Sequence, residues 1–334
     1  MDQRPNQSYR AIFQILNGPL ISMMLYSATE LNIAGLLSTP KRIEELASQT
    51  STLPEKLDRL LLSLEAFGFF NYNLETHEWS NSELSSALAD PSVTPMIKWL
   101  GSPHHHEMIC SLTDSLKVNK SAHELRFGSG CFEYIRENPH MLTAFQDFMT
   151  ILTLREIPTF VRIELGNAHR ILDIGGADGS FMIELCKIHA ELTGAVFDLE
   201  EVTERATKNI EKNGFQERLA VISGNFLDHV PEGFDCIIIK HTLIDWNDDD
   251  SKRIFDNCRK ALEPGKNLKI IDPILVRGDP QYQSDRWFDV LLNAYTNSKA
   301  RTKEELERLL SQSGFRIDSV FRLGRDYVVH AVAI

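Results

Sequence analysis

The chain is poor in cysteine: five occur among 334 residues, at positions 110, 131, 186, 236 and 258. None forms a Cys-x-x-Cys pair, which excludes a disulfide scaffold and a zinc framework of that kind; reduced, mostly buried thiols are expected. Long hydrophobic runs are lacking too. No apolar stretch approaches the roughly 18 residues that span a bilayer, and the start, Met1-Asp2-Gln3-Arg4-Pro5-Asn6-Gln7, has no apolar leader core. A cytoplasmic location without membrane attachment is expected. Positive charge is in deficit: 35 Lys and Arg against 47 Asp and Glu leave a net charge of −12. That balance repels phosphates and argues against a nucleic-acid partner. What remains is 43% hydrophobic residues in a length ample for two globular domains.

A dinucleotide loop is missing as well. That fold needs Gly-x-Gly-x-x-Gly and an uncluttered path for a pyrophosphate. The loop present is Gly175-Gly176-Ala177-Asp178-Gly179, after the apolar strand Ile171-Leu172-Asp173-Ile174 and before helical spacing from Phe181 to His189. Such a strand–turn–helix brings bare backbone and a helix N-terminus to a nucleotide-like ligand. Asp173 stands at its mouth, and a second apolar run, Gly194-Ala195-Val196-Phe197, ends in Asp198. Two carboxylates repel a diphosphate and attract an ammonium or a sulfonium. Asp198 is placed to take both hydroxyls of a ribose. The pattern points to S-adenosylmethionine.

The chain divides into three stretches: 1–95, 96–165 and 166–334. In the first, Pro40–Gln49 (capped by Thr39) and Pro54–Phe67 carry helical spacing. Phe69–Tyr72 and Glu78–Ser80 straddle a polar turn as a hairpin. Two helices and a hairpin suggest a winged helix, yet Glu55-Lys56-Leu57-Asp58-Arg59 alternates in sign where a DNA reader is basic. The domain is therefore read as structural, pairing two subunits into a homodimer. The middle stretch reads as helices at 96–100, 107–116, 131–138 and 140–154. Thereafter strands near 169–174, 193–198, 219–223, 234–240, 268–272, 315–322 and 326–333 alternate with helices, including 249–262 and 302–313, the latter opened by a Thr302/Glu305 capping box. This predicts an α/β, Rossmann-like doubly wound sheet, with one of the last two strands antiparallel because only Leu323-Gly324-Arg325 joins them.

Five segments in order, Leu172–Gly179, Val196-Phe197-Asp198-Leu199, Ser223-Gly224-Asn225-Phe226, Asp245-Trp246-Asn247-Asp248-Asp249 and Lys299-Ala300-Arg301-Thr302, carry a family likeness. The chain resembles S-adenosylmethionine-dependent small-molecule O-methyltransferases of the plant caffeate and hydroxyindole type and their bacterial natural-product relatives. The resemblance implies a class I methyltransferase sheet and a helical domain that interlocks two subunits. It implies a cofactor site of Asp173, Gly175, Gly176, Asp198, Leu199, Asn225, Phe226 and Lys240, with Asn225 and Phe226 flanking the adenine. The family's usual Gly-Asp-Met-Phe is here Gly224-Asn225-Phe226-Leu227; Asn keeps an acceptor without the charge.

The same resemblance shows what is gone. Family members carry His-Asp-Trp, whose imidazole deprotonates the attacking hydroxyl; this chain has Ile244-Asp245-Trp246. A family Glu before Arg-Thr is Ala300, and a further acidic position is matched loosely to His330. Neither Ile nor Ala titrates, so the usual general base cannot operate from there. Asp245, His105 and His241 are the remaining catalytic candidates. The run His104-His105-His106 is not expected to hold a metal, since adjacent residues rarely converge on one ion. A pocket of His105, Phe145, Met149, Ile244, Trp287 and Leu291 suits a small, flat, apolar metabolite. Three readings stand: methyl transfer to an O, N or C nucleophile that needs no strong base, non-methylating pericyclase- or decarboxylase-type chemistry with the sulfonium as a fixed charge, and a non-catalytic dimeric binding protein.

Overall fold

The computed structural model describes residues 7–276, 278 and 286–334, which fall into two compact units that divide between Glu107 and Met108. In the first, helices Gly18–Glu30, Ile33–Leu36, Ile43–Thr50 and Pro54–Glu65 surround a core of Ile33, Leu46, Leu61, Leu64, Phe70 and Trp79. The hairpin pairs β1 (Asn71–Asn73) with β2 (Glu78–Ser80), antiparallel. Trp79 is fully buried and its indole N–H donates to Asp58 Oδ1 at 3.0 Å. Lys41 and Trp79 exchange both backbone hydrogen bonds. That bridge delays the first predicted helix: it starts at Ile43 with Arg42 at its N-cap, and Thr39 does not cap it. The helix Gln7–Leu16 buries none of its side chains, leaving Tyr9, Ile12, Phe13, Ile15 and Leu16 exposed.

The second unit carries a seven-stranded sheet. Its strands are β3 (Arg170–Ile174), β4 (Thr193–Asp198), β5 (Leu219–Ser223), β6 (Cys236–Lys240), β7 (Asn267–Asp272), β8 (Phe315–Leu323) and β9 (Asp326–Ala333). Their order is β5-β4-β3-β6-β7-β9-β8. β3 to β7 run parallel, and β9 lies antiparallel between β7 and β8. β3, β6 and β7 are buried on both faces, as continuous apolar runs in a helix-covered parallel sheet must be. Leu172, Ile174 and Ile239 pack one face with Phe197, Phe255 and Leu310; Ile171 and Ile238 pack the other with Phe181, Val196 and Ile210. The strand order reverses between β3 and β6, which places the ligand crevice beyond their C-terminal ends.

The strands match the sequence expectation closely; two further helices do not. The expected helix 107–116 is two pieces, Pro103–Ile109 and Leu112–Ser115. Ser102 Oγ accepts the His105 N–H at 3.1 Å and so starts the first piece early. The helix expected to end at Leu154 runs from Pro139 to Phe160, through Pro158. A proline one turn from the end removes a single ladder donor, and buried Ile157 and Phe160 anchor that turn. Thr302 and Glu305 form the expected capping box. Four of the five cysteines are buried, and all five are free thiols. No single described helix is long and apolar enough to cross a membrane.

Candidate active site

The glycine loop opens directly from β3. Gly175 and Gly179 have φ of +69° and +75°, conformations that glycine adopts at no steric cost. A Cβ on Gly176 would stand 2.6 Å from Asp173 Oδ2, so the acid and the loop backbone meet with no room for a side chain. Asp173 is 1% exposed and its Oδ2 has no hydrogen-bond partner. Burial pushes its carboxyl up to about 7, the Lys240 charge pulls it down, and Asp198 raises it again. Asp198 ends β4 and is held by backbone: Oδ2 accepts from Ala177 N at 3.0 Å and Oδ1 from Leu199 N at 2.8 Å. The first bond ties Asp198 to the glycine loop. Each oxygen keeps a further lone pair for a ligand hydroxyl.

Lys240, last in β6, donates to Thr153 Oγ1 at 3.3 Å and lies 5.9 Å from the Phe181 ring centre. Asn225 caps its own turn through Oδ1 to Leu227 N. Phe226 is 8% exposed and packs edge-on to Trp246 within the core. His241 leaves β6 with φ +50°, and its ring sits between two acids, Asp326 and Glu156, at 3.1 and 3.5 Å.

Beyond β6 the chain forms a short 3-10 turn, Leu243–Asp245. Ile244 is buried and borders a cavity of about 20 Å³, room for one water. Asp272, Ala300 and Arg301 share its lining. Burial lifts the Asp245 carboxyl to about 7. Aromatic rings continue from the turn: Trp246 stacks on Phe132 at 6.3 Å, and Phe132 meets Phe145 edge-on at 6.0 Å. Phe145 and Met149 are both partly buried on helix Pro139–Phe160. Leu291 is partly buried, while Trp287, four residues earlier on its helix, is 59% exposed. His105 belongs to the N-terminal unit, where burial and then the charge of His106 lower its imidazole to about 4. His330 pairs across the ladder with Lys269 and contacts Asn267 Oδ1 at 2.9 Å; the acid lining the small cavity with Ile244 and Ala300 is Asp272.

Asp272 and Arg301 are the residues that sequence reasoning passed over. Asp272 ends β7, is 7% exposed, and is raised well above the usual carboxylate range by burial, then by Asp326 and Asp245. Its signal was present, since β4 and β7 both end an apolar run with Asp and β3 comes within one residue of doing so. Arg301, 5% exposed, donates to the carbonyls of Leu243 and Trp246, to Ser251 Oγ and to Asp248. It clamps the turn that presents Ile244 and Asp245.

With this geometry in place, residues 110–316 match the O-methyltransferase domain and residues 13–91 the O-methyltransferase dimerisation domain. The chain belongs to the O-methyltransferase family. S-adenosylmethionine is the cofactor of this enzyme family. O-methyltransferase SfmM3 of Streptomyces lavendulae is 29% identical over 92% of this chain and 95% of its own. Aclacinomycin 10-hydroxylase RdmB of Streptomyces purpurascens is 25% identical over 94% and 86%. The structure of the mitomycin 7-O-methyltransferase MmcR superposes with a TM-score of 0.93 at 26% identity, covering 98% of both chains. The enzyme's own residues fit the cofactor. Asp173 offers a buried, unpartnered oxygen to a cation, and the glycine cradle admits a ligand where a Cβ would collide.

Proposed function

We propose that the enzyme methylates a small aromatic or polyketide-like metabolite as a homodimer, with the Asp245 carboxylate accepting the proton that an imidazole takes elsewhere in the family. One observation carries this: Asp245 adjoins the Ile244 position and has an affinity for protons matched to neutral pH. When bound, S-adenosylmethionine supplies an electrophilic methyl on a sulfonium. Asp173 then faces the cofactor's ammonium, Asp198 takes the ribose hydroxyls, and Gly175, Gly176, Leu199, Asn225, Phe226 and Lys240 line the remainder. Phe145, Met149 and Ile244 exclude water and align a flat acceptor, with Leu291 and Trp287 at the margin. With that methyl donor bound, an acceptor hydroxyl would be held against it and Asp245 would take the hydroxyl proton. His105 is a poorer base, because burial and then the neighbouring His106 make its imidazole resist protonation, and the His241 ring is turned between Asp326 and Glu156.

The dimer reading draws on the dimerisation-domain match and on the exposed apolar side chains of helix Gln7–Leu16. The two helices and hairpin of that unit support a winged-helix description. A second reading keeps the cofactor as a fixed positive charge without methyl transfer. It is favoured by the isoleucine at the base position and by a hydroxylase among the relatives. Incubating the enzyme with S-adenosylmethionine and a panel of phenols, N-heterocycles and enolisable ketones separates the two. Stoichiometric S-adenosylhomocysteine release supports methyl transfer; acceptor conversion without it supports the second reading.

A further inference from the structure

We propose that Glu156, His241 and Asp326 form a binding site for a first-row divalent cation of the Zn2+ or Co2+ type. The three come from separate elements: helix Pro139–Phe160, the end of β6 and the start of β9. One ligand atom from each lies within 4.8 Å of the others. His241 Nε2 is 3.1 Å from Asp326 Oδ2, and Nδ1 is 3.5 Å from Glu156 Oε2. A tetrahedral ion bound at about 2.0–2.2 Å holds its ligand atoms roughly 3.3–3.6 Å apart; a single ion meets only one ring nitrogen, so both carboxylates must close on the same nitrogen from within 4.8 Å.

A second observation concerns the buried carboxylate oxygens around this cluster. Asp326 is 0% exposed, and its Oδ1 has no hydrogen-bond partner. Glu156 Oε2 also lacks a hydrogen bond, and so does Oδ1 of Asp272, which lies within electrostatic reach of Asp326. Buried carboxylate oxygens are ordinarily paired or metal-bound. Arg325 does not complete the set. It is 46% exposed, binds the other oxygen of Glu156 at 2.7 Å and stays 4.0 Å from Asp326. It thereby orients Glu156 with Oε2 toward the imidazole, as an outer-shell partner does. Phe160 meets the His241 ring edge-on at 5.5 Å and fixes its plane.

An imidazole with two carboxylates selects Zn2+ or Co2+ over Mg2+ and Ca2+, which prefer oxygen alone. A bound ion ties β6, β9 and helix Pro139–Phe160 together directly after Lys240. It needs no role in the methyl transfer proposed above.

The test is chelator-treated full-length protein titrated with Zn2+ and Co2+ by calorimetry, with Mg2+ as control, and Co2+ followed by visible absorption. One ion per chain is expected, with a cobalt d–d band and no response to Mg2+. Glu156→Gln and His241→Ala should each weaken binding at least about tenfold while metal-free circular dichroism stays unchanged. Glu156→Gln, at a partly exposed position, remains interpretable if His241→Ala fails to fold. Absence of saturable Zn2+ binding at millimolar concentration overturns the proposal. So does binding unchanged in Glu156→Gln, or binding abolished instead by replacing His104, His105 and His106 with alanine.

Discussion

Replacing Asp245 with asparagine keeps the shape of the side chain and removes its proton affinity. Burial raises this carboxyl from an ordinary 3.8 to about 7, which corresponds to about 4 kcal/mol of disfavoured negative charge. The same burial makes it an effective acceptor. On that basis the deprotonated fraction is about one tenth at pH 6, one half at pH 7 and nine tenths at pH 8. Log kcat/KM for a phenol with a high pKa should rise with unit slope below pH 7 and level off above pH 8. Asp245→Asn should lower kcat/KM by about 10²- to 10⁴-fold, the usual contribution of a positioned base, and should remove that limb of the profile. KM should move far less. Stopped-time assays of S-adenosylhomocysteine release across pH 5.5–9 supply the data. A wild-type profile flat across that range, or an unchanged limb in Asp245→Asn, refutes the assignment.

Asp173 is also lifted to about 7, so its hold on a cationic ligand should weaken as pH falls through 7. Calorimetry of S-adenosylmethionine at pH 6 and 8 reads this directly, and equal affinities would count against Asp173. The two raised carboxyls bear on folding as well. Their folded-state values exceed those of the unfolded chain, so their contribution is fully present below about pH 4 and is lost as pH rises through 7. Thermal midpoints of the ligand-free protein should therefore decline between pH 5 and 8. Gly176→Ala drives a Cβ to 2.6 Å from Asp173 Oδ2 and should weaken cofactor binding more than it alters the circular dichroism of the fold. Arg301→Ala strips buried donors from two carbonyls, Ser251 and Asp248; chemical denaturation should register a loss of about 3–5 kcal/mol. Phe13→Asp places a charge on the exposed apolar helix face and should shift sedimentation toward the monomer.

Much of the fold was legible in the sequence because a parallel sheet writes itself as short apolar runs. Ile171–Ile174, Cys236–Ile239 and Leu268–Ile271 have little choice but to be buried on both faces. Helix boundaries were read less well where a partner distant in sequence intervened. Trp79 reaches back to pair with Lys41 and moves a helix start, and Ile157 and Phe160 carry a helix past a proline. Local propensity contains no information about such partners.

The candidate site divides along the same line. The sequence alone determined the glycine turn, the acids that end its strands, and the absence of an imidazole at position 244, because each is a statement about residue identity at a fixed spacing. Only the tertiary structure decided that Asp272 abuts Ile244 and Ala300, that Arg301 grips the Leu243–Trp246 turn, and that Glu156, His241 and Asp326 converge. Those meetings join strands and helices far apart in the chain. Proton affinity follows the same rule: a carboxyl becomes neutral near pH 7 because of what surrounds it, and the surroundings exist only once the sheet has closed over it.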